Sequence, residues 1–232
     1  MQQSEKFNDL LWNIRKIRET SDELLNFLDK KDWYLPRICQ MPSENRKREW
    51  LAVRVLLKEL LGEEKEIAYT ETGKPYLVDN SHHISISHTK EYVAVALSKY
   101  HSVGIDIEYI SPRVQKISSR FMSDEETAGI SSENEIIHLL LHWSAKESMF
   151  KALNEQSVDF REFLHIQPFV PEMNVLSSFN AFETKTENRH RFVIHYLATE
   201  DYVCTVTSIS PNKTIHNPAT VPDATLLSHP AK

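Results

Sequence analysis

The amino-acid sequence predicts an α+β protein built from two α+β halves that meet near residue 105. Three observations carry this. Helical and strand patterns follow one another in the order helices then strands, twice over. Trp50, Val53, Leu57 and Leu60 recur at the spacing of an amphipathic helix, whereas Ile84-Ser85-Ile86-Ser87-His88 alternates apolar and polar side chains like a half-buried strand. The expected division is 1–104 and 105–210, with a polar, proline-bearing tail at 211–232 that reads as loosely ordered.

Taken in order, Phe7 to Leu28 reads loosely as helix, and the region of Pro36 and Pro42 breaks it. Pro42-Ser43 then opens the amphipathic helix, Gly62 stands where a C-terminal cap belongs, and Arg46, Lys47, Arg48, Arg54 and Lys58 make its opposite flank basic. That flank is either an ordinary solvated face or a row of cations for a polyphosphate. A strand at Ile67–Thr70 leads through Glu71-Thr72-Gly73-Lys74-Pro75, a turn, into Tyr76-Leu77. Strands follow at Ile84–His88, at Tyr92–Leu97 and from Ser102 to Glu108. Ser123 and Glu126 form a capping box, and a long helix is expected from Asn134 to Leu153 with Ile137, Leu140 and Leu141 on its apolar stripe. The stretches Ser177–Phe182, Arg191–Leu197 and Tyr202–Ser208 read as strands.

With 232 residues, 41% of them hydrophobic and 26% charged, the chain can bury one large core or two small ones. No apolar run suits a signal segment or a bilayer span, which places the protein in the cytoplasm with no membrane partner. A net charge of −6 argues against nucleic acid as a ligand. Cys39 and Cys204 are too few for a disulfide framework and lack metal-ligand spacing.

The chemistry concentrates in Val103-Gly104-Ile105-Asp106-Ile107-Glu108. On a strand Asp106 and Glu108 share one face while Ile105 and Ile107 take the other. Two carboxylates so placed repel, unless a hard divalent cation between them keeps both ionised. Farther on, Trp143, Glu147 and Lys151 lie at i, i+4 and i+8 along one flank of the second long helix. Taken alone, Glu147 and Lys151 read as a helical salt bridge worth only a few tenths of a kcal/mol. Lys74, between a glycine and a proline, is held so that it can meet a phosphate, and His88 ends a strand.

Four pieces in order, Gly73-Lys74-Pro75, Ile86-Ser87-His88, Gly104-Ile105-Asp106-Ile107-Glu108 and Trp143-x-x-Lys146-Glu147-x-x-x-Lys151, resemble the signature of Sfp-type 4'-phosphopantetheinyl transferases. The resemblance covers roughly the middle third of the chain. It implies the family's pseudo-dimeric α+β fold with coenzyme A between the halves. It also implies Mg²⁺-dependent transfer of the 4'-phosphopantetheine arm of coenzyme A to a serine of an acyl, peptidyl or aryl carrier protein, releasing adenosine 3',5'-bisphosphate. By match to the motifs, Asp106 and Glu147 are metal ligands, with Glu108 a third, direct or through water. Glu147 has a second candidate role, accepting the serine proton directly or through a metal-bound water; Lys151, Lys146 and His88 bind the diphosphate, Ser87 donates to phosphate, and Gly73, Lys74 and Pro75 wall the adenine. Arg48 and Arg54 are the expected nucleotide contacts on the first long helix, and the neighbourhood of Phe121–Glu126 is the expected dock for the carrier. Two halves in one chain imply a monomer. Two other classes stay open: a different Mg²⁺-dependent phosphoryl enzyme, which would want a glycine-rich phosphate loop that is missing here, and a non-catalytic binder of coenzyme A or carrier.

Overall fold

A computed structural model describes residues 5–7, 9–153 and 155–209; the tail expected at 211–232 lies outside them. The chain opens with strands β1 (Glu5–Phe7) and β2 (Leu10–Lys16), then helices α1 (Ser21–Asn26), α2 (Lys31–Ile38) and α3 (Glu44–Leu61). Strands β3 (Ile67–Tyr69), β4 (Pro75–Leu77), β5 (His83–Thr89), β6 (Tyr92–Ser98) and β7 (Ser102–Tyr109) follow. After a 3-10 helix (Pro112–Arg120) come α4 (Asp124–Ala128), α5 (Glu135–Leu153), α6 (Phe160–Phe163) and strands β8 (Leu164–Ile166), β9 (Leu176–Glu183), β10 (Arg191–Ala198) and β11 (Tyr202–Ile209).

The fold is α+β, as expected. One antiparallel sheet has the order β1-β2-β6-β5 and a second the order β7-β11-β10-β9-β8, with β3-β4 as a separate hairpin. A long helix covers one face of each: Leu51, Leu56 and Leu57 of α3 pack on Val93, Val95 and Leu97 of β6, while Leu141, Ala145 and Met149 of α5 pack on Ile194 and Tyr196 of β10. A third core fills the space between the sheets, where Trp12, Ala94, Ala96, Ile105, Ile107 and Val206 meet. β6 supplies both sides because alternate residues point oppositely, and all seven of its residues are buried. Strand β7 starts at Ser102, so the division expected at 104/105 falls inside a strand of the second sheet.

Helix α3 starts on Ser43, whose side chain accepts from the Arg46 amide, and stops at Gly62, which adopts φ 76° as a left-handed cap. The segment read as helix from Phe7 is instead largely strand. Leu10, Trp12 and Ile14 are buried and alternate with less buried neighbours, and this period of two outweighs the weak helical pattern around it. Helix formation is confined to Ser21–Asn26 behind a Thr20–Glu23 capping box. Pro36 does not break its surroundings: α2 runs across it and ends two residues later at Ile38, at the cost of the one backbone bond that its missing N–H would have made to the Asp32 carbonyl.

The two halves are joined by side chains. Alternate residues of β5 carry hydroxyls toward β7: Ser85 Oγ accepts from the Ile105 amide at 3.1 Å, Ser87 Oγ from Ile107 at 3.3 Å and Thr89 Oγ1 from Tyr109 at 3.3 Å. The edge of β7 turned away from β11 would otherwise bury amides without partners, and this hydroxyl ladder satisfies them.

Candidate active site

Asp106 and Glu108 leave β7 on the face that meets α5. The approach is close because Gly104 lies on the same face: a Cβ there would sit 1.8 Å from the Ser148 carbonyl oxygen. Gly104 is thus required by the contact between strand and helix. Beneath it Thr205 Oγ1 lies 2.9 Å from Ser144 Oγ and 3.0 Å from Ser148 Oγ, so small hydroxyl side chains fill the seam.

The Asp106 carboxylate is buried. Its Oδ1 accepts from Ser87 Oγ at 2.9 Å and from Lys151 Nζ at 2.8 Å, while Oδ2 is buried without a hydrogen-bond partner. Lys151 also donates to the Ile105 carbonyl at 3.0 Å, so it turns across to β7 and the simple Glu147–Lys151 helical pair is replaced by a strand-to-helix ion pair. Glu108 Oε1 accepts from Trp143 Nε1 at 2.8 Å. Burial and the Asp106 charge raise the Glu108 pKa above the ordinary carboxylate range. Glu147 is pushed up to about 7, by burial first and then by Asp106 and Glu108, with Lys151 pulling the other way.

Among the described residues no three histidine, cysteine or acidic side chains gather as a metal-holding group. The donor set still suits a divalent cation in two respects. Asp106 Oδ2 is a buried acceptor with no donor, and Glu108 and Glu147 are driven toward neutrality by burial first and then by neighbouring negative charge, which a cation would offset.

Two cavities lie near the acids, one lined by His88, which follows Ser87 on β5, and the other by Lys151, which pairs with Asp106. The first, about 600 Å³, is lined by Arg37, Arg46, Trp50, Arg54, Tyr69 and His88 among others. Arg54 is buried, donates to the Trp50 carbonyl at 2.9 Å and stacks 3.3 Å above the Trp50 ring. Burial lowers its pKa to about 10, against the opposing pull of Tyr69. The arginine ion pairs among the described residues are made by Arg15 and Arg161 instead, so Arg37, Arg46 and Arg54 line this cavity without an ion pair, with Glu49 the one acid in its wall. The second cavity, about 740 Å³, lies between the halves, with Ile84, Ile86 and Lys74 on one side and Val103, Phe150 and Lys151 on the other. Burial lowers the Lys74 pKa. Gly73 (φ 83°), Pro75 and Ile86 line both cavities, so the 73–75 turn is the wall between them.

The structure therefore brings together Asp106, Glu108, Glu147 and Lys151, with Ser87 touching them, and sets Gly73, Lys74, Pro75, His88 and Arg54 around the adjoining cavities. Two expected residues stand elsewhere. Arg48 donates to the carbonyls of Glu19 (2.7 Å) and Ile17 (3.2 Å), fastening the turn before α1. Lys146 is fully buried on another face of α5, where Nζ donates to the Phe121 carbonyl (2.6 Å), Glu126 (2.7 Å) and the Phe160 carbonyl (3.2 Å). Burial pulls the Lys146 pKa down; for Glu126 burial works upward, but the Lys146 charge and backbone donors prevail and the net direction is down. Removing one member of such a pair leaves a buried charge alone, so Lys146→Met is expected to cost about 3–5 kcal/mol, read from the urea midpoint. Adding Glu126→Gln should recover part of that loss.

The reading from sequence also missed Arg37 and Tyr69, which come from α2 and β3 and reach the first cavity only through the fold. Arg46, Glu49, Trp50, Val53 and Arg54 line it at i, i+3, i+4, i+7 and i+8, a periodicity that was available in the sequence.

The three acids and Lys151 occupy a segment where the chain resembles known proteins. Residues 102–207 match the 4'-phosphopantetheinyl transferase superfamily. The family resemblance seen in the motifs is borne out over this stretch. The superfamily segment runs from β7 to β11 and contains all three acids and Lys151; the arginine-lined cavity and the 73–75 turn lie outside it. The chain is 31% identical over 155 residues to the 4'-phosphopantetheinyl transferase gsp of Aneurinibacillus migulanus, covering 64% of this chain and 60% of that protein. It is 33% identical over 120 residues to the 4'-phosphopantetheinyl transferase AcpT of Salmonella typhi, covering 49% and 62%. To AcpT of Escherichia coli K12 it is 40% identical over 75 residues, covering 32% and 38%. The chain thus spans about three fifths of the length of the first two relatives. Among the described residues no helix is long and apolar enough to cross a membrane.

Proposed function

We propose that this protein transfers the 4'-phosphopantetheine arm of coenzyme A to a serine hydroxyl of an acyl or peptidyl carrier protein. The observation that carries the proposal is the adjacency of two opposite environments: a buried group of acids with Glu147 raised to about 7, and cavities whose walls hold Arg37, Arg46, Arg54, Lys74, Lys151 and His88. Polyphosphate recognition needs the second, and activation of a hydroxyl needs the first.

In this reading Arg37, Arg46 and Arg54 receive nucleotide phosphate, and Gly73-Lys74-Pro75 forms the wall against which the nucleotide lies. Asp106 and Glu147 hold Mg²⁺, with Glu108 contributing directly or through water; the ion when bound supplies charge neutralisation at the diphosphate. Glu147 takes the proton of the carrier serine as its oxygen attacks the β-phosphorus. The bond from that phosphorus to the bridging oxygen breaks, and adenosine 3',5'-bisphosphate leaves, its new charge met by Lys151 and His88. Lys146 and Arg48 hold the scaffold. The second cavity, lined from both halves of one chain, supports a monomer, and we place the reaction in the cytoplasm.

The test is intact mass of an apo carrier protein incubated with this chain, coenzyme A and Mg²⁺. The expected result is a gain of one phosphopantetheine that EDTA abolishes. No gain across several unrelated carriers, with coenzyme A still bound, would replace transfer by simple binding.

A further inference from the structure

We propose that Ser87 is a positioning residue whose hydroxyl pins Oδ1 of Asp106, leaving Oδ2 as the one oxygen of that carboxylate that meets a divalent cation. The inference rests on the metal site proposed above and adds how that site is oriented.

The geometry is a chain of single-purpose bonds. Ser87 Oγ accepts from the Ile107 amide at 3.3 Å, which directs its own proton away from β7's backbone and onto Asp106 Oδ1, 2.9 Å off. A hydroxyl has one proton to give, and here it is committed to the carboxylate. Ser87 is 8% exposed, so water does not compete for it freely. Lys151 donates to the same Oδ1 at 2.8 Å, and both donors therefore load one oxygen while Oδ2 stays buried and without a partner. A carboxylate so loaded cannot turn about its Cβ–Cγ bond without losing two hydrogen bonds. The expected donation of Ser87 to phosphate is thus replaced by a role one bond back. In this role Ser87 acts through Asp106, to which its proton is committed.

The hydroxyl ladder provides its own controls. Ser85 and Thr89 make the same inter-sheet bond to the amides of Ile105 and Tyr109, but no bond from either to an acidic side chain is formed among the described residues. Ser85→Ala, Ser87→Ala and Thr89→Val each remove one hydroxyl–amide bond, and Ser87→Ala also removes the bond to Asp106, so all three thermal midpoints should fall, that of Ser87→Ala furthest. Only Ser87→Ala should weaken metal binding, by about tenfold or more, the usual effect of losing a group that orients a ligand. The measurement is titration of Mn²⁺ into the full chain with coenzyme A present, followed by the free-ion spin-resonance signal. Ser87→Thr, which keeps the hydroxyl, should restore affinity. Overturning results are Ser87→Ala binding Mn²⁺ like the parent, or Ser85→Ala and Thr89→Val weakening it equally, which would mean that general loosening is responsible. A parent chain that takes up no Mn²⁺ would remove the metal site itself, and the positioning role with it.

Discussion

Replacing Gly104 with alanine is expected to destabilise the protein by about 3 kcal/mol or more and to depress transfer in whatever fraction still folds. The new methyl would sit 1.8 Å from the Ser148 carbonyl oxygen, 2.8 Å from its carbonyl carbon and 3.0 Å from the Ala152 amide nitrogen, all backbone atoms of α5. No side chain can move aside, so strand and helix must part. Asp106 rides on that strand and Glu147 on that helix, next to Ser148, so the same displacement separates the proton acceptor from the acid that helps set its charge. Chemical denaturation measures the first effect and carrier modification the second. An alanine variant as stable as the parent would show that the seam has slack.

Glu147→Gln is expected to lower the transfer rate about 10³-fold, within the usual range for removing a general base, while coenzyme A still binds. Glutamine keeps the size of the side chain and its place on α5 but cannot accept the serine proton. The cavities proposed for the nucleotide are lined by other residues, so the dissociation constant for coenzyme A, read calorimetrically, should stay close to the parental value. Turnover at the parental rate would remove Glu147 from the mechanism, and loss of coenzyme A affinity together with rate would make it a binding group.

What could be read in advance follows how local each signal is. Helix α3 and strand β5 announce themselves because each carries a full period, α3 with Gly62 as its stop, while β6 reads as a short apolar run and α5 stands out by its length. Strand β2 does not, since its run Leu10-x-Trp12-x-Ile14 is short and continues into residues that suit a helix. The tiny α6 and β8 leave no period at all. At the site, the acids were legible because a two-residue spacing on a strand and a four-residue spacing on a helix each define a face. The same rule argues against Lys146: one residue along a helix is a turn of about 100°, so it cannot share the face of Glu147. Its motif neighbours made it look like a ligand, and the helix geometry carries it to Glu126. Arg48 likewise falls outside the row from Arg46 to Arg54. Arg37 and Tyr69 were out of reach, because only the tertiary fold brings α2 and β3 to α3.

The placing of β7 also dictates an order of assembly. Every strand of the first sheet lies within residues 5–98, so that half can be completed while the rest of the chain is still being made. Strand β7 emerges next, but among the described residues its only backbone ladder is with β11, where Asp106 faces Thr205 and Tyr109 faces Tyr202. For roughly a hundred residues of synthesis it can lean on the finished half through the β5 hydroxyls and the apolar residues of β6, with its other edge open. The acids therefore gain their final setting only when the last described strand arrives, and the growing chain has a folded half long before it has a working centre.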